Sequence, residues 1–280
     1  MPPRPSPYHS AALFLLGLLL PCVLHAQAPV LLRGPYLQMA APTAVTVCWR
    51  TDTADTGRVR FGTDAAALTG MVEESAAATN HQVRLTGLTP GTHYFYTVET
   101  GTTTLASGPD YHFYTPPVDG APDSVRFWVL GDSGTQSQAQ IMVRNAFTPV
   151  HAQRRADFWL MLGDNAYYNG TDALYQGAVF NMYPEYLRTI PLWPCLGNHE
   201  TYAGPETNGF LAYDNIFVLP VAAECGGVAS GTERYYSWNY GRLHFICLDS
   251  MTASRATDGP MAQWLTADLQ ANLQPWVIAF

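Results

Sequence analysis

The chain has 280 residues, of which 48% are hydrophobic and 13% are charged, so it is long enough to bury two modest cores. Its formal net charge of -8, with no basic run, argues against a nucleic-acid partner or an anionic membrane surface, because both require concentrated Lys and Arg. The 23 Gly and 21 Pro residues are typical of a loop-rich and strand-rich exported protein.

The first segment, residues 1–28, has the pattern of a signal peptide. Arg4 precedes an apolar stretch over residues 11–20, and the small residues Ala26 and Ala28 offer cleavage points. The apolar stretch is too short to span a bilayer comfortably, so we expect no stable membrane span after its removal. The sequence therefore predicts a secreted or periplasmic protein.

Four cysteines follow the signal segment, at Cys48, Cys195, Cys225 and Cys247. This even number permits one or two disulfides in an oxidising compartment. Three of the four lie inside apolar, strand-like runs, where a buried free thiol is the more common outcome. We therefore favour structural cysteines and leave the disulfide pattern open.

Residues 29–117 have the pattern of a β-sandwich. Polar and apolar residues alternate over 44–49, 57–62 and 94–98, and clusters of Gly, Asp and Thr separate these strands. Trp49 lies where a central core tryptophan is expected, and the segment from Leu88 to Tyr94 resembles the tyrosine corner of fibronectin type III domains. A proline-rich break then predicts a linker over residues 118–122.

The remaining residues, 123–280, predict an α/β domain with its sheet flanked by helices. Three nearly continuous apolar runs predict strands that are covered on both faces, and helical segments lie between them. These runs occupy residues 125–130, 158–162 and 191–196. A further strand, a helix and a last strand are predicted over 243–248, 260–273 and 276–280. Polar loops at the carboxyl ends of parallel strands should meet at one edge of the sheet.

Each of the three apolar runs ends in a loop whose side chains can bind cations. The loops are Gly131-Asp132-Ser133-Gly134, Gly163-Asp164-Asn165-Ala166-Tyr167 and Gly197-Asn198-His199-Glu200. A single Gly-Asp after a strand is commonly only a turn. Here the motif recurs, with 32 residues from Asp132 to Asp164 and 34 from Asp164 to Asn198. This repeat favours a shared site over three unrelated turns.

In order and spacing, the three loops resemble the metallophosphoesterase superfamily, and Tyr167 narrows the resemblance to the purple acid phosphatases. The resemblance implies that Asp132, the bridging Asp164, Tyr167 and Asn198 are metal ligands. It also implies Fe(III) on the tyrosinate side and Fe(II), Zn(II) or Mn(II) on the other side. Independently, a phenolate is a hard donor that suits trivalent iron, whereas a neutral amide oxygen suits a divalent ion.

The resemblance implies an exported acid phosphatase that hydrolyses phosphomonoesters, with metal-bound hydroxide as the nucleophile. By this analogy His199 is the catalytic residue, which binds a phosphate oxygen or protonates the departing alkoxide. The alternative for His199 is an indirect role in orienting a ligand. Trivalent iron acidifies water strongly, so an acidic pH optimum is expected.

The chain departs from the family in its histidines. Purple acid phosphatases supply three further His ligands in later loops, and His244, the only histidine after His199, sits in an apolar strand. We therefore expect these 280 residues to be the N-terminal part of a longer enzyme. Two other functions stay open: a phosphodiesterase of the same superfamily, and a non-catalytic exported binding module with a degenerate metal site. The natural substrate and the oligomeric state are also open.

Overall fold

The computed structural model describes residue 1 and residues 28–101, 103–204 and 211–280. The predicted signal peptide lies almost entirely in residues 2–27, outside the described residues. The strands of the first half are β1 (Leu31–Ala41), β2 (Ala44–Asp55), β3 (Gly57–Gly62), β4 (Gly70–Glu73), β5 (Ala78–Thr86), β6 (His93–Thr100), β7 (Thr103–Ala106) and β8 (His112–Tyr114).

These strands form the predicted β-sandwich. One antiparallel sheet has the order β1-β2-β5, and the other has the order β4-β3-β6-β7, with β8 paired to β6. Trp49 is buried in the core between the sheets, as its position in the sequence predicted. The hydroxyl of Tyr94 accepts the backbone N–H of Thr89 at 3.0 Å, which is the hydrogen bond of a tyrosine corner.

The second half alternates strands and helices. Its elements are β9 (Phe127–Leu130), α1 (Gln138–Gln153), β10 (Phe158–Met161), α2 (Asp172–Tyr175), α3 (Pro184–Leu187), β11 (Leu192–Pro194), α4 (Ala212–Ile216), β12 (Tyr236–Tyr240), β13 (Leu243–Cys247), α5 (Pro260–Ala271) and β14 (Trp276–Ala279). A π-helical turn, Gln176–Phe180, follows α2, and a short 3-10 turn, His199–Thr201, follows β11.

The strands of this half divide between two sheets instead of forming one open sheet. Strands β9, β10 and β11 run parallel with β10 in the centre, and β12, β13 and β14 form the other sheet. In the second sheet, β12 and β13 form an antiparallel hairpin, and β13 and β14 are parallel. The α/β architecture predicted from the sequence is confirmed, except that its strands form two sheets and not one.

Aromatic side chains fill the space between the two sheets. Trp193 of β11 stacks on Trp238 of β12 with ring centroids 4.1 Å apart. Helices cover the outer faces: Phe147 of α1 stacks on Trp128 of β9, and Trp264 of α5 packs against Ile246 of β13. Strands β10 and β11 are buried on both faces, as their continuous apolar runs predicted. Strand β9 lies at the edge of its sheet and is covered only in part, with Val129 43% exposed, so the expectation of two covered faces is wrong for this strand.

The sandwich and the α/β half also share a core. Tyr36, Met39, Ala41 and Cys48, on strands β1 and β2, belong to the same buried cluster as the central strands of the α/β half. The hydroxyl of Tyr36 donates to the backbone oxygen of Ile216 at 2.5 Å. The sheet β1-β2-β5 therefore packs against the other sheet of the sandwich on one face and against the α/β half on the other.

The four cysteines predicted to be structural are all buried. Cys48, Cys195, Cys225 and Cys247 are free thiols in the described part of the chain.

Among the described residues, no helix combines the length and apolar character needed to cross a bilayer.

Glu233 should make the stability of the fold depend on pH. Burial raises the pKa of Glu233 to about 7, and its Oε1 accepts the N–H of Leu219 at 3.0 Å. Because an unfolded glutamate titrates near pH ~4.3, the folded protein should lose stability as pH rises between these two values. We expect Glu233→Gln, which can still accept the N–H, to raise the free energy of unfolding by about 2 kcal/mol at pH ~8 and hardly at pH ~4. Urea unfolding at both pH values checks this, and an equal effect at both would contradict it.

Candidate metal centre

The three polar loops meet at the carboxyl edge of the sheet β9-β10-β11, because these strands are parallel and adjacent. The N–H of Asp132 donates to the backbone oxygen of Gly163 at 3.2 Å, which joins the first two loops. The N–H of His199 donates to Oδ1 of Asp164 at 3.0 Å, which joins the second and third.

The two aspartates share an uncommon backbone conformation. Asp132 and Asp164 have φ values of 52° and 50°, in the left-handed region, which Asp and Asn enter more readily than most residues. The glycines of the neighbouring loops allow close approach. A Cβ on Gly197 would lie 2.1 Å from the backbone nitrogen of Asp164 and 2.2 Å from its Oδ1. Gly163 and Gly197 are therefore required by the close approach of the second and third loops, whereas a Cβ on Gly131 would meet only Leu162, at 3.6 Å.

Three oxygen donors converge at the centre of the site. The phenol of Tyr167 lies 3.0 Å from Oδ1 of Asp132 and 3.0 Å from Oδ2 of Asp164. Burial and the hydrogen bonds to the two carboxylates raise the pKa of Tyr167, because they disfavour a third negative charge there. A bound cation would reverse this preference and favour the phenolate.

Glu200 joins the second and third loops through the backbone. Its Oε2 accepts the N–H groups of Gly197 at 2.7 Å and Asp164 at 2.9 Å, and its Oε1 accepts those of Asn165 at 2.8 Å and Ala166 at 3.1 Å. The side chain is only 1% exposed. Burial raises the pKa of Glu200, while the backbone hydrogen bonds act in the opposite direction. The carboxylate thereby holds the turn that precedes Tyr167 against the loop of Asn198 and His199.

His199 borders the oxygen cluster. Its Nδ1 lies 2.6 Å from the backbone oxygen of Tyr168, which can only accept, so Nδ1 carries a proton. Its Nε2 lies 3.9 Å from Oδ2 of Asp164 and is left to face the site. The carbonyl of Tyr168, and not the carboxylate of the adjacent Glu200, therefore sets the tautomer of His199.

Asn198 lies in the same loop but is exposed, and its Nδ2 donates to the hydroxyl of Tyr202 at 2.5 Å. The ring of Tyr202 lies 4.6 Å from that of His199, and Tyr168 is 81% exposed beside them. The structure therefore brings Asp132, Asp164 and Tyr167 into direct contact, with Asn198 and His199 at the margin of the cluster.

His244 does not belong to this cluster. Its Nε2 pairs with Oδ2 of Asp268 at 2.6 Å and its Nδ1 lies 2.8 Å from Oδ1 of Asn239, in a buried network. Within the described ranges, no group of three or more His, Cys, Asp or Glu side chains is arranged to hold a metal. The candidate centre therefore depends on a mixed set of donors that includes a phenol and an amide.

Sequence reasoning missed how the loops are held in place. The hydrogen bonds of Glu200 are made to backbone N–H groups, which leave no side-chain pattern in a sequence. A second contact, between Asp172 and Arg33 of the sandwich, joins residues that are 139 positions apart. The sequence shows only that Glu200 and Asp172 lie within a few residues of the proposed ligands, which does not reveal their contacts.

Comparisons with known proteins identify the family of each half of the chain. The family of purple acid phosphatase N-terminal domains matches residues 33–115, and the calcineurin-like phosphoesterase family matches residues 125–279. Purple acid phosphatase 15 of Arabidopsis thaliana is 29% identical over 226 residues, which are 71% of this chain and 40% of that protein. Purple acid phosphatase 13 of the same plant is 27% identical over 237 residues, which are 71% of this chain and 41% of that protein. The chain thus spans about two fifths of the length of these curated relatives.

Solved structures share the fold. The purple acid phosphatase PPD1 from yellow lupin (Lupinus luteus) seeds superposes with a TM-score of 0.68 at 18% identity, over 88% of this chain and 50% of that one. The structure of PhoD gives a TM-score of 0.61 at 15% identity, over 87% of this chain and 60% of that one. The α/β half alone accounts for more than half of the chain and matches the phosphoesterase family throughout, while the sandwich matches the domain that precedes it in purple acid phosphatases. The chain therefore belongs to the calcineurin-like phosphoesterase family, and its first half matches the N-terminal domain of purple acid phosphatases.

Proposed function

We propose that the protein is an exported acid phosphatase that hydrolyses phosphomonoesters at a dinuclear centre of Fe(III) and Fe(II), Zn(II) or Mn(II). The observation that carries this proposal is the position of the Tyr167 phenol, 3.0 Å from a carboxylate oxygen of both Asp132 and Asp164. Two carboxylates and a phenol that share one small volume repel each other when ionised, and a multivalent cation relieves that repulsion.

The chemistry of the donors fits such a centre. Asp132, Asp164 and Tyr167 offer hard anionic oxygens, and Asn198 can add a neutral amide oxygen if its side chain turns from Tyr202. We propose that Asp164 is shared between the two metals, with Tyr167 on the Fe(III) side and Asn198 on the divalent side. When bound, the metal pair would activate a water and neutralise charge on the phosphoryl oxygens.

The residues around the donors have separate tasks in this proposal. Glu200 keeps Asp164 and the turn before Tyr167 in position, and the carbonyl of Tyr168 holds His199 with its Nε2 toward the site. A proton on Nε2 can be donated to a phosphate oxygen and then passed to the leaving alkoxide. His199 is thus the proposed catalytic residue.

The first test compares esters. We expect the protein, in the length that its gene encodes, to hydrolyse para-nitrophenyl phosphate faster than bis-para-nitrophenyl phosphate and to lose this activity on treatment with a chelator. The pH profile should peak on the acidic side. A faster rate on the diester would assign the phosphodiesterase function instead, and metal binding without turnover of either ester would assign the binding module.

The second test examines the iron ligand. Iron-loaded protein should absorb visible light through tyrosinate bound to Fe(III), and Tyr167→Phe should abolish this absorption. Tyr168→Phe is the matched control, because Tyr168 is the adjacent tyrosine, is 81% exposed and has no hydroxyl contact with either aspartate. Absorption that survives in Tyr167→Phe would show that Tyr167 is not the ligand.

A further inference from the structure

Two arginines of the sandwich hold one carboxylate of the α/β half. Arg33, on β1, places Nη1 3.0 Å from Oδ1 and Nη2 3.0 Å from Oδ2 of Asp172, so that the pair is bidentate. Arg50, on β2, adds a third hydrogen bond to Oδ2 at 2.7 Å. Such planar, charge-assisted pairs fix direction as well as distance.

Both arginines are themselves fixed. Arg33 is only 3% exposed, its Nε donates to Gln176 at 2.8 Å, and its guanidinium lies 4.5 Å from the ring centre of Phe180. Arg50 donates through Nε to Asn80 on β5 at 2.6 Å. Burial of Asp172 tends to raise its pKa, but the hydrogen bonds from the arginines outweigh this and lower it, so the pair stays charged under acidic conditions. The contact is therefore a rigid joint between the sandwich and α2.

Asp172 stands five residues after Tyr167, at the start of α2. The segment between them is short and is held at both ends. At one end, the N–H of Ala166 is bound by Glu200 at 3.1 Å, and the N–H of Gly170 donates to the oxygen of Ala166 at 2.9 Å. At the other end, the arginines bind Asp172. The segment 167–171, which carries the Tyr167 phenol and the carbonyl that orients His199, thus lies between two anchors.

We propose that Asp172 is a positioning residue: through it, Arg33 and Arg50 set the place of the Tyr167 loop, so that the sandwich helps to determine the iron–phenolate geometry. This inference rests on the proposed function of Tyr167 as an iron ligand. It assigns the sandwich a part in the metal centre, in addition to its part in the shared core.

Other contacts between the two halves reach segments that carry no proposed ligand. Tyr36 binds the backbone of Ile216, and Gln38 accepts the N–H of Val218 at 2.8 Å. Tyr96 donates to the backbone oxygen of Arg188 at 2.8 Å. These contacts and the shared core keep the halves together when Asp172 is changed, so the effect on the Tyr167 loop can be measured in a folded protein.

The test replaces Asp172 with Asn and compares it with Glu99→Gln. Glu99 is a matched control because it is also a carboxylate held by two arginines, Arg58 at 3.5 Å and Arg60 at 3.2 Å, but within the outer sheet of the sandwich. We expect Asp172→Asn to weaken Fe(III) binding by about 10-fold to 100-fold, as changes behind a metal ligand typically do. The visible absorption per bound iron should also shift or fall. Glu99→Gln should change neither.

A second readout needs no metal. Hydrogen exchange of the amides in segment 166–171 should accelerate in Asp172→Asn and stay unchanged in Glu99→Gln. If Asp172→Asn fails to fold, Arg50→Gln provides a milder variant, because it leaves the buried pair of Arg33 and Asp172, and it should give a smaller change in the same direction.

The outcomes separate the two proposals. Wild-type protein that binds iron without visible absorption would overturn the function proposed for Tyr167. Wild-type absorption together with unchanged absorption, iron affinity and hydrogen exchange in Asp172→Asn would overturn the inference about Asp172 alone. Equal changes in Asp172→Asn and Glu99→Gln would also overturn it, because they would reflect general weakening of the sandwich.

Discussion

Glu200→Gln is expected to destabilise the protein by about 3 kcal/mol and to disrupt the candidate centre, although the two side chains have nearly the same shape. The carboxylate accepts four backbone N–H groups, from Asp164, Asn165, Ala166 and Gly197. An amide has one acceptor oxygen, and its NH₂ group would face N–H donors in a site that is 1% exposed. Two of the four donors would lose their acceptor, and each buried donor left unpaired costs about 1–3 kcal/mol.

Urea unfolding of the metal-free protein measures this effect, and Glu233→Gln is the matched control. Glu233 is also a partly buried glutamate, but a single backbone N–H, from Leu219, donates to it. The two substitutions should therefore have opposite signs at pH ~8, with a loss for Glu200→Gln and a gain for Glu233→Gln. A change below about 0.5 kcal/mol in Glu200→Gln would show that the loops do not depend on this carboxylate.

The second large effect is expected for Asp164→Asn. Asn tolerates the left-handed backbone at this position, and its amide oxygen can still accept the N–H of His199, so the fold should be retained. The substitution removes the charge proposed to be shared by both metals. We expect phosphomonoester hydrolysis to fall by about 1,000-fold, because metal ions contribute several kcal/mol to this reaction and each ~1.4 kcal/mol is a factor of ten. Metal content per protein and initial rates measure the loss.

Asp157→Asn is the control for Asp164→Asn. Asp157 precedes strand β10 and Asp164 follows it, so the two aspartates lie at opposite ends of one strand. Their side chains are similarly buried, with 9% and 10% exposed. Asp157 accepts the N–H of Arg126 and pairs with Arg155, away from the three loops. Full activity in Asp164→Asn, or an equal loss in Asp157→Asn, would contradict the assignment of Asp164.

The part of the fold that could be predicted from the sequence follows from local patterns. Alternation around Trp49 and the turn before Tyr94 indicate a sandwich, because side chains on successive strand positions face opposite sides. Apolar runs that end in Gly-Asp or Gly-Asn indicate parallel strands whose loops meet, and this pattern places Asp132, Asp164 and Asn198 at one edge of the sheet. The role of Tyr167 is implied by the resemblance to purple acid phosphatases. These features are encoded within a few residues of one another.

The part that could not be predicted depends on contacts between distant segments. The assignment of β12–β14 to a separate sheet depends on strand pairing, which buried apolar runs do not specify. Glu200 binds backbone groups up to 36 positions away, and any residue type can supply such an N–H. Arg33 and Asp172 form an ion pair although they are 139 positions apart, and neither residue lies in a recognisable sequence motif.

The shared core of the two halves has a consequence for how the chain is made. The sandwich strands end at Tyr114, so this half is synthesised before the first Gly-Asp loop. Until the later strands emerge, Tyr36, Met39 and Cys48 lack the partners that bury them in the finished protein. The newly made sandwich thus provides an apolar surface against which the α/β half can pack as it folds. Until that half has been synthesised, the same surface is exposed and is a binding site for chaperones.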